Sequence, residues 1–100
     1  MPDHDGYPTE AELNIIRNWQ PAKSYNDLME YVQELWYYPN YFMETEIEGN
    51  TFYVFHTGGW SGNESLIEAL QSNLLFWVVC WYQSTVGGHF TFQVQNTLNA

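Results

Sequence analysis

The chain has 100 residues and a formal net charge of −10, from twelve acidic residues against two basic ones, Arg17 and Lys23. Two cations cannot neutralise a phosphate backbone, which excludes sequence-independent nucleic-acid binding. A single Cys forms neither an intrachain disulfide nor a Cys-based zinc cluster, and no apolar run reaches the ~20 residues that a membrane span needs.

Residues 1–8 are polar, with Gly6 and two prolines, and are expected to form a loose lead-in to a single domain covering 1–100. Met1-Pro2-Asp3-His4-Asp5 has no basic and no apolar segment and is not expected to act as a signal peptide. Thr9-Glu10-Ala11-Glu12 is a capping box, with Thr9 as N-cap and Glu12 three positions on. Leu13, Ile16 and Trp19 then keep helical spacing, with Ile15 beside them, until Pro21 ends the helix. Ser24 caps a second helix with Asp27 at its third position. Leu28, Val32, Leu35 and Trp36 form its apolar stripe, and Asp27, Glu30 and Glu34 form an acidic ridge. Pro39 closes the helical region.

From Phe42 the period changes to two. Met43, Thr45 and Ile47 alternate with Glu44, Glu46 and Glu48, and Gly49-Asn50 suits a two-residue type II′ turn with Gly first. Counting outward from that turn pairs Glu48 with Thr51, Ile47 with Phe52, Thr45 with Val54 and Met43 with His56. This register turns Met43, Ile47, Phe52 and Val54 toward the core. Glu44, Glu46 and Glu48 share the opposite face with Tyr53 and Phe55.

Thr57-Gly58-Gly59-Trp60-Ser61-Gly62-Asn63-Glu64 reads as a glycine-rich loop ending in a second capping box, Ser61 to Glu64. The helix it opens turns Leu66, Ile67 and Leu70 inward. Residues 74–82, aromatic and β-branched without polar interruption, read as a central strand buried on both faces; periodicity alone also allows the helix to run on through Phe76. Gly87-Gly88 makes a tight turn into a last strand with Phe90, Phe92 and Val94. The order is ααββαββ: an α+β domain with a mainly antiparallel sheet of about four strands and helices on one face.

Catalytic chemistry finds little footing. Ser61 lies between a strand and a helix, but Asn63 stands where a nucleophile elbow wants Gly, and helix capping accounts for the serine. Cys80 has no neighbouring cation to lower its pKa and reads as a small buried hydrophobe. His56 and His89 each adjoin a Gly-Gly pair and approach each other if their strands are neighbours. A metal site there would need Glu64 or Cys80 as a third ligand, and no ligand spacing supports it. The expectation is therefore no enzyme, no metal and no cofactor. The charge distribution is the stronger signal, because rows of carboxylates can occupy a Lys/Arg groove built for nucleic acid. The expected partner-binding residues are Glu44, Glu46 and Glu48 with Tyr53 and Phe55 as apolar anchors, and Asp27, Glu30 and Glu34 on the helix. Nineteen aromatic residues exceed what a core of this size uses, so several should reach the surface. The alternative is a nucleotide or metabolite site framed by the 56–64 loop and the 87–89 turn, using His56, Trp60, Ser61, Asn63 and His89.

His56-Thr57-Gly58-Gly59-Trp60-Ser61-Gly62-Asn63-Glu64, with Phe76-Trp77, Cys80-Trp81, Ser84 and Gly87-Gly88-His89-Phe90-x-Phe92, resembles a set of small bacteriophage and prophage proteins. The likeness covers residues 50–94, and the first forty residues add nothing to it. Relatives carry Arg just before the second Gly-Gly, where this chain has Val86, which weakens an anion site. The resemblance brings no assigned reaction. It implies a phage origin and action in a bacterial cytoplasm. The function it points to by analogy is that of an anti-defence or anti-CRISPR-like inhibitor, which binds a host protein with a basic surface and makes no direct contact with nucleic acid or membrane.

Overall fold

Thr9 caps the first helix as its sequence requires. Its hydroxyl accepts from the Glu12 backbone N–H at 3.2 Å, and the Glu12 carboxylate accepts from the Thr9 N–H at 2.7 Å. The computed structural model describes residues 6–37 and 41–95. In chain order these form α1 (Glu10–Arg17), a 3-10 turn (Pro21–Lys23), α2 (Tyr25–Leu35), β1 (Phe42–Ile47) and β2 (Asn50–His56). They continue with α3 (Ser61–Ser72), α4 (Leu74–Cys80), β3 (Trp81–Thr85) and β4 (His89–Gln95). Ser24 caps α2, accepting from the N–H groups of Asn26 and Asp27. Pro39 and His4 lie outside the described residues, as do residues 1–3, 5 and the carboxy-terminal five. The segment read as a loose lead-in is pinned at Tyr7, whose ring lies 4.7 Å from that of Trp60.

The four strands make one antiparallel sheet in the order β1-β2-β4-β3. The helices cover one face, so the architecture is α+β. Among the described residues no helix is long and apolar enough to cross a membrane. The core lies between sheet and helices. Phe55, Phe76 and Phe92 are fully buried there with Ile16, Leu28, Met29, Val32, Leu66 and Leu70.

Four sequence expectations are corrected. First, residues 74–80 are helical. Asn73, between α3 and α4, accepts from the Phe76 N–H at 3.3 Å, while its amide donates to the carbonyls of Ile16 and Trp19, both at 3.0 Å. A capped start and the burial of Phe76 and Cys80, four residues apart, select the helix over the strand that β-branched composition favours. The strand that follows, β3, is an edge strand.

Second, the first hairpin turns at Glu48-Gly49, not Gly49-Asn50. Both residues have positive φ, 51° and 83°, which suits a type I′ turn. The pairs become Ile47–Asn50, Thr45–Phe52 and Met43–Val54, with Glu46 opposite Thr51 and Glu44 opposite Tyr53. Third, the helix-covered face is the one bearing Thr51, Tyr53 and Phe55, and all three are buried. Met43, Ile47, Phe52 and Val54 stand on the open face. Fourth, Ser61 is the first residue of α3, which is preceded by Trp60 and has no side-chain cap, so the second capping box does not form.

Candidate functional site

The corrected register redistributes the expected contact residues. Tyr53 and Phe55 are core residues and cannot serve as surface anchors: Phe55 packs against Trp36 at 4.8 Å and against Phe92 at 6.1 Å. Glu48 sits in the turn, so the row of three glutamates on one strand face reduces to Glu44 and Glu46. These two point to the helix side of the sheet but stay exposed, because β1 is the edge strand.

That placement brings the strand acids to the helix ridge. The Gln33 amide of α2 donates to the Glu44 carboxylate at 3.1 Å. Beneath, Asn26 of α2 donates to the Tyr53 hydroxyl at 3.0 Å. Burial pushes the Tyr53 phenol above its ordinary range; the nearby carboxylates of Glu44 and Glu30 push it further, against the Asn26 hydrogen bond. Glu30 from the helix and Glu44 from the strand thus both act on this one phenol. Asp27, Glu30 and Glu34 are exposed along α2, and Glu44 and Glu46 are exposed on β1, which is joined to that helix by the Gln33–Glu44 bond. Glu34 and Glu12 both raise Tyr31, after burial, which carries the negative field toward α1. Both basic residues are engaged on α1 and the 3-10 turn: Arg17 pairs with Glu10 at 2.6 Å, and Lys23 lies 4.9 Å over the Trp19 ring.

The glycine-rich loop is a joint. Trp60 is held between Tyr7 and Tyr37, with ring centroids at 4.7 and 4.5 Å. Gly62 lies under that indole so closely that a β-carbon there would run into the ring. Asn63 is fully buried: its Oδ1 accepts from the Tyr37 N–H at 2.9 Å, and its Nδ2 donates to the carbonyls of Tyr37 at 3.1 Å and Thr57 at 3.3 Å. Ser61 shares a hydrogen bond with the Tyr7 hydroxyl at 3.2 Å. Trp60, Ser61 and Asn63 thus tie the end of α2, the start of α3 and the amino-terminal segment together.

His56 and His89 are cross-strand partners with ring centroids 4.0 Å apart, as their flanking strands anticipated. Among the described residues no three His, Cys, Asp or Glu side chains gather to hold a metal ion. Cys80 is buried on α4, and burial pushes its thiol up to about 12. A cleft of about 270 Å³ lies between α3 and the β2 and β4 ends, lined by Thr57, Glu64, Ile67, Glu68, Gln71, Gly88 and Phe90. Thr57 and Glu64 of the expected loop and Gly88 of the expected turn line it, but His56, Trp60, Ser61, Asn63 and His89 do not, and it falls just short of the ~300–1,000 Å³ typical of small-molecule pockets.

The histidine pair makes a pH prediction. Burial, and then the neighbouring His89, hold the His56 imidazole below its ordinary value near 6.5. As pH falls through that value the unfolded chain takes the proton first. The stability His56 contributes is present above pH ~6.5 and lost below it. Thermal unfolding of the wild type and of His56→Gln, followed between neutral and mildly acidic pH, should show a shallower loss in the variant. Identical pH slopes would count against this assignment.

Nothing local signals the approach of Glu44 to Gln33 of α2, because it depends on the strand register. Tyr37 and Tyr7 were also missed, since nothing local marks an aromatic residue as a stacking partner for one far along the chain. No family model, curated protein or solved structure matches this chain.

Proposed function

We propose that this protein is a non-enzymatic binding protein whose α2–β1 acidic face occupies a basic, nucleic-acid-binding surface on another protein. The observation that carries this reading is the Gln33–Glu44 hydrogen bond, which joins the edge strand bearing exposed Glu44 and Glu46 to the helix bearing exposed Asp27, Glu30 and Glu34, while Arg17 is paired with Glu10 and Lys23 lies over Trp19. A rigid frame matters here. Charges fixed by backbone elements present a preorganised field, which speeds encounter with a cationic groove and sets its register. The resemblance to phage proteins gives the reading its setting, a host protein of a bacterial cytoplasm that handles nucleic acid, inhibited by charge mimicry in the manner of an anti-defence protein.

The experiment is capture of partners from a bacterial lysate, followed by binding kinetics with the recovered protein. Asp27→Asn, Glu30→Gln and Glu34→Gln combined with Glu44→Gln and Glu46→Gln should slow association at least about tenfold. All five residues are exposed, so the fold should be retained. Wild-type association should also slow with added salt. Glu48→Gln, in the turn, should change little. Capture of the same partner at an unchanged rate by the fivefold variant would remove the acidic face from the account.

A further inference from the structure

Helix α4 is apolar all round. Its sequence is Leu-Leu-Phe-Trp-Val-Val-Cys, and only Phe76, Trp77 and Cys80 turn toward the core. Leu74 and Val78 form one outward row and Leu75 and Val79 the next, with exposures of 72, 80, 53 and 60%. A helix at a water surface normally shows polar residues on that side, and one that is hydrophobic all round is normally buried. Seven residues are far too few to cross a bilayer, and a chain of net charge −10 is repelled by anionic lipid.

The open face of the sheet continues this surface. Tyr82, just beyond α4, packs edge-on against Phe52 at 5.3 Å. Val79 borders a shallow hollow of about 240 Å³ with Asn50, Gln93 and Gln95, and Gln93 is the cross-strand partner of Phe52. Met43 and Ile47 complete the apolar row on β1, both at least half exposed. The remaining positions of this face in the register are Thr45, Val54, Thr91, the histidine pair, and Gln83 and Thr85 of β3, which are polar or apolar but carry no carboxylate. No acidic residue stands on it; Glu48 is at its rim. Leu74, Leu75, Val78, Val79, Tyr82, Met43 and Ile47 are each at least half exposed, and large apolar side chains gathered on one surface mark an interaction site.

We propose that the open sheet face and the outer face of α4 form a two-fold interface between two copies of this chain. A second copy fits because the surface is uncharged in a strongly acidic protein. Laid face to face, two sheets ~10 Å apart meet at the end where Val79 of α4 borders the open face, and keep α1, α2 and α3, with the acidic residues they carry, on the outside. The like charges are then separated by more than the ~8 Å Debye length at physiological salt. Each α2–β1 face also stays open, so this interface stands or falls independently of the binding role proposed above.

Sedimentation velocity of the full chain across micromolar to sub-millimolar concentration tests it. The expected species has twice the 11.8 kDa chain mass. Association should strengthen with added salt, the reverse of the effect expected for a basic partner. Val78→Arg and Met43→Arg, one on each part of the surface, should each weaken the dimer about a hundredfold by burying an unpaired charge, and each lowers the net negative charge and so adds no repulsion. Both sites are exposed in the single chain, so circular dichroism should be unchanged. A wild type that stays at the single-chain mass throughout, whether or not it binds zwitterionic vesicles, overturns the proposal, as does a dimer that survives both substitutions.

Discussion

Asn63→Ala is expected to lower stability by about 3 kcal/mol, because it removes three hydrogen bonds of a fully buried side chain, two to the Tyr37 backbone and one to the Thr57 carbonyl, which then keeps only the Trp60 N–H. The isosteric change Asn63→Asp separates hydrogen bonding from packing. Aspartate keeps the acceptor for the Tyr37 N–H, but it sets a second oxygen against two carbonyls. Its buried carboxyl would be pushed above the ordinary carboxylate range. The folded state would then bind the proton more tightly than the unfolded one, so the variant should recover stability as pH falls through that raised pKa. Urea unfolding of both variants at neutral and mildly acidic pH checks the two effects together. A stable Asn63→Ala protein would mean that the joint between α2 and the loop rests on the Tyr7–Trp60–Tyr37 stack alone.

Phe92→Ala should cost more, about 4 kcal/mol. Phe92 is fully buried on β4 and touches rings from three directions: Phe76 at 5.3 Å, Trp77 at 5.5 Å and Phe55 at 6.1 Å. Those neighbours come from α4 and β2, so the cavity left by truncation opens between elements that cannot collapse independently. Phe92→Leu should lose only about 1 kcal/mol, since most of the volume is kept. For a domain whose whole stability is of the order of 5–15 kcal/mol, the alanine variant should shift the urea midpoint far below that of the wild type with an unchanged slope. A small shift would place the packing centre elsewhere.

Much of the architecture was legible in the residues, and the failures have physical causes. Thr9 and Ser24 announced their helices because capping is a local hydrogen-bonding requirement. The hairpin's existence was equally clear, but Gly49 can occupy either central position of a tight turn. Glu48 accepts a positive φ that its side chain disfavours, and nothing local reveals this. The inverted faces follow from β2, where Phe52 and Val54 on one side are as apolar as Tyr53 and Phe55 on the other. Alternation on β1 misled in turn: on an edge strand both faces are exposed, so its glutamates do not mark the side away from the core. In α4, β-branched composition argued for a strand, and tertiary packing of Phe76 and Cys80 overrode it. The acidic residues themselves were readable; their meeting across α2 and β1 required the register.

β1 carries a consequence beyond recognition. It closes one side of the sheet, and the margin of a sheet offers backbone groups to any extended chain that arrives. Glutamates at 44 and 46, with a third at the tip, would bring like charges to about 4.8 Å if another β1 aligned in register alongside. The carboxylates proposed to enter a cationic groove thus also guard against fibril growth, and whatever neutralises them uncovers a six-residue template for it.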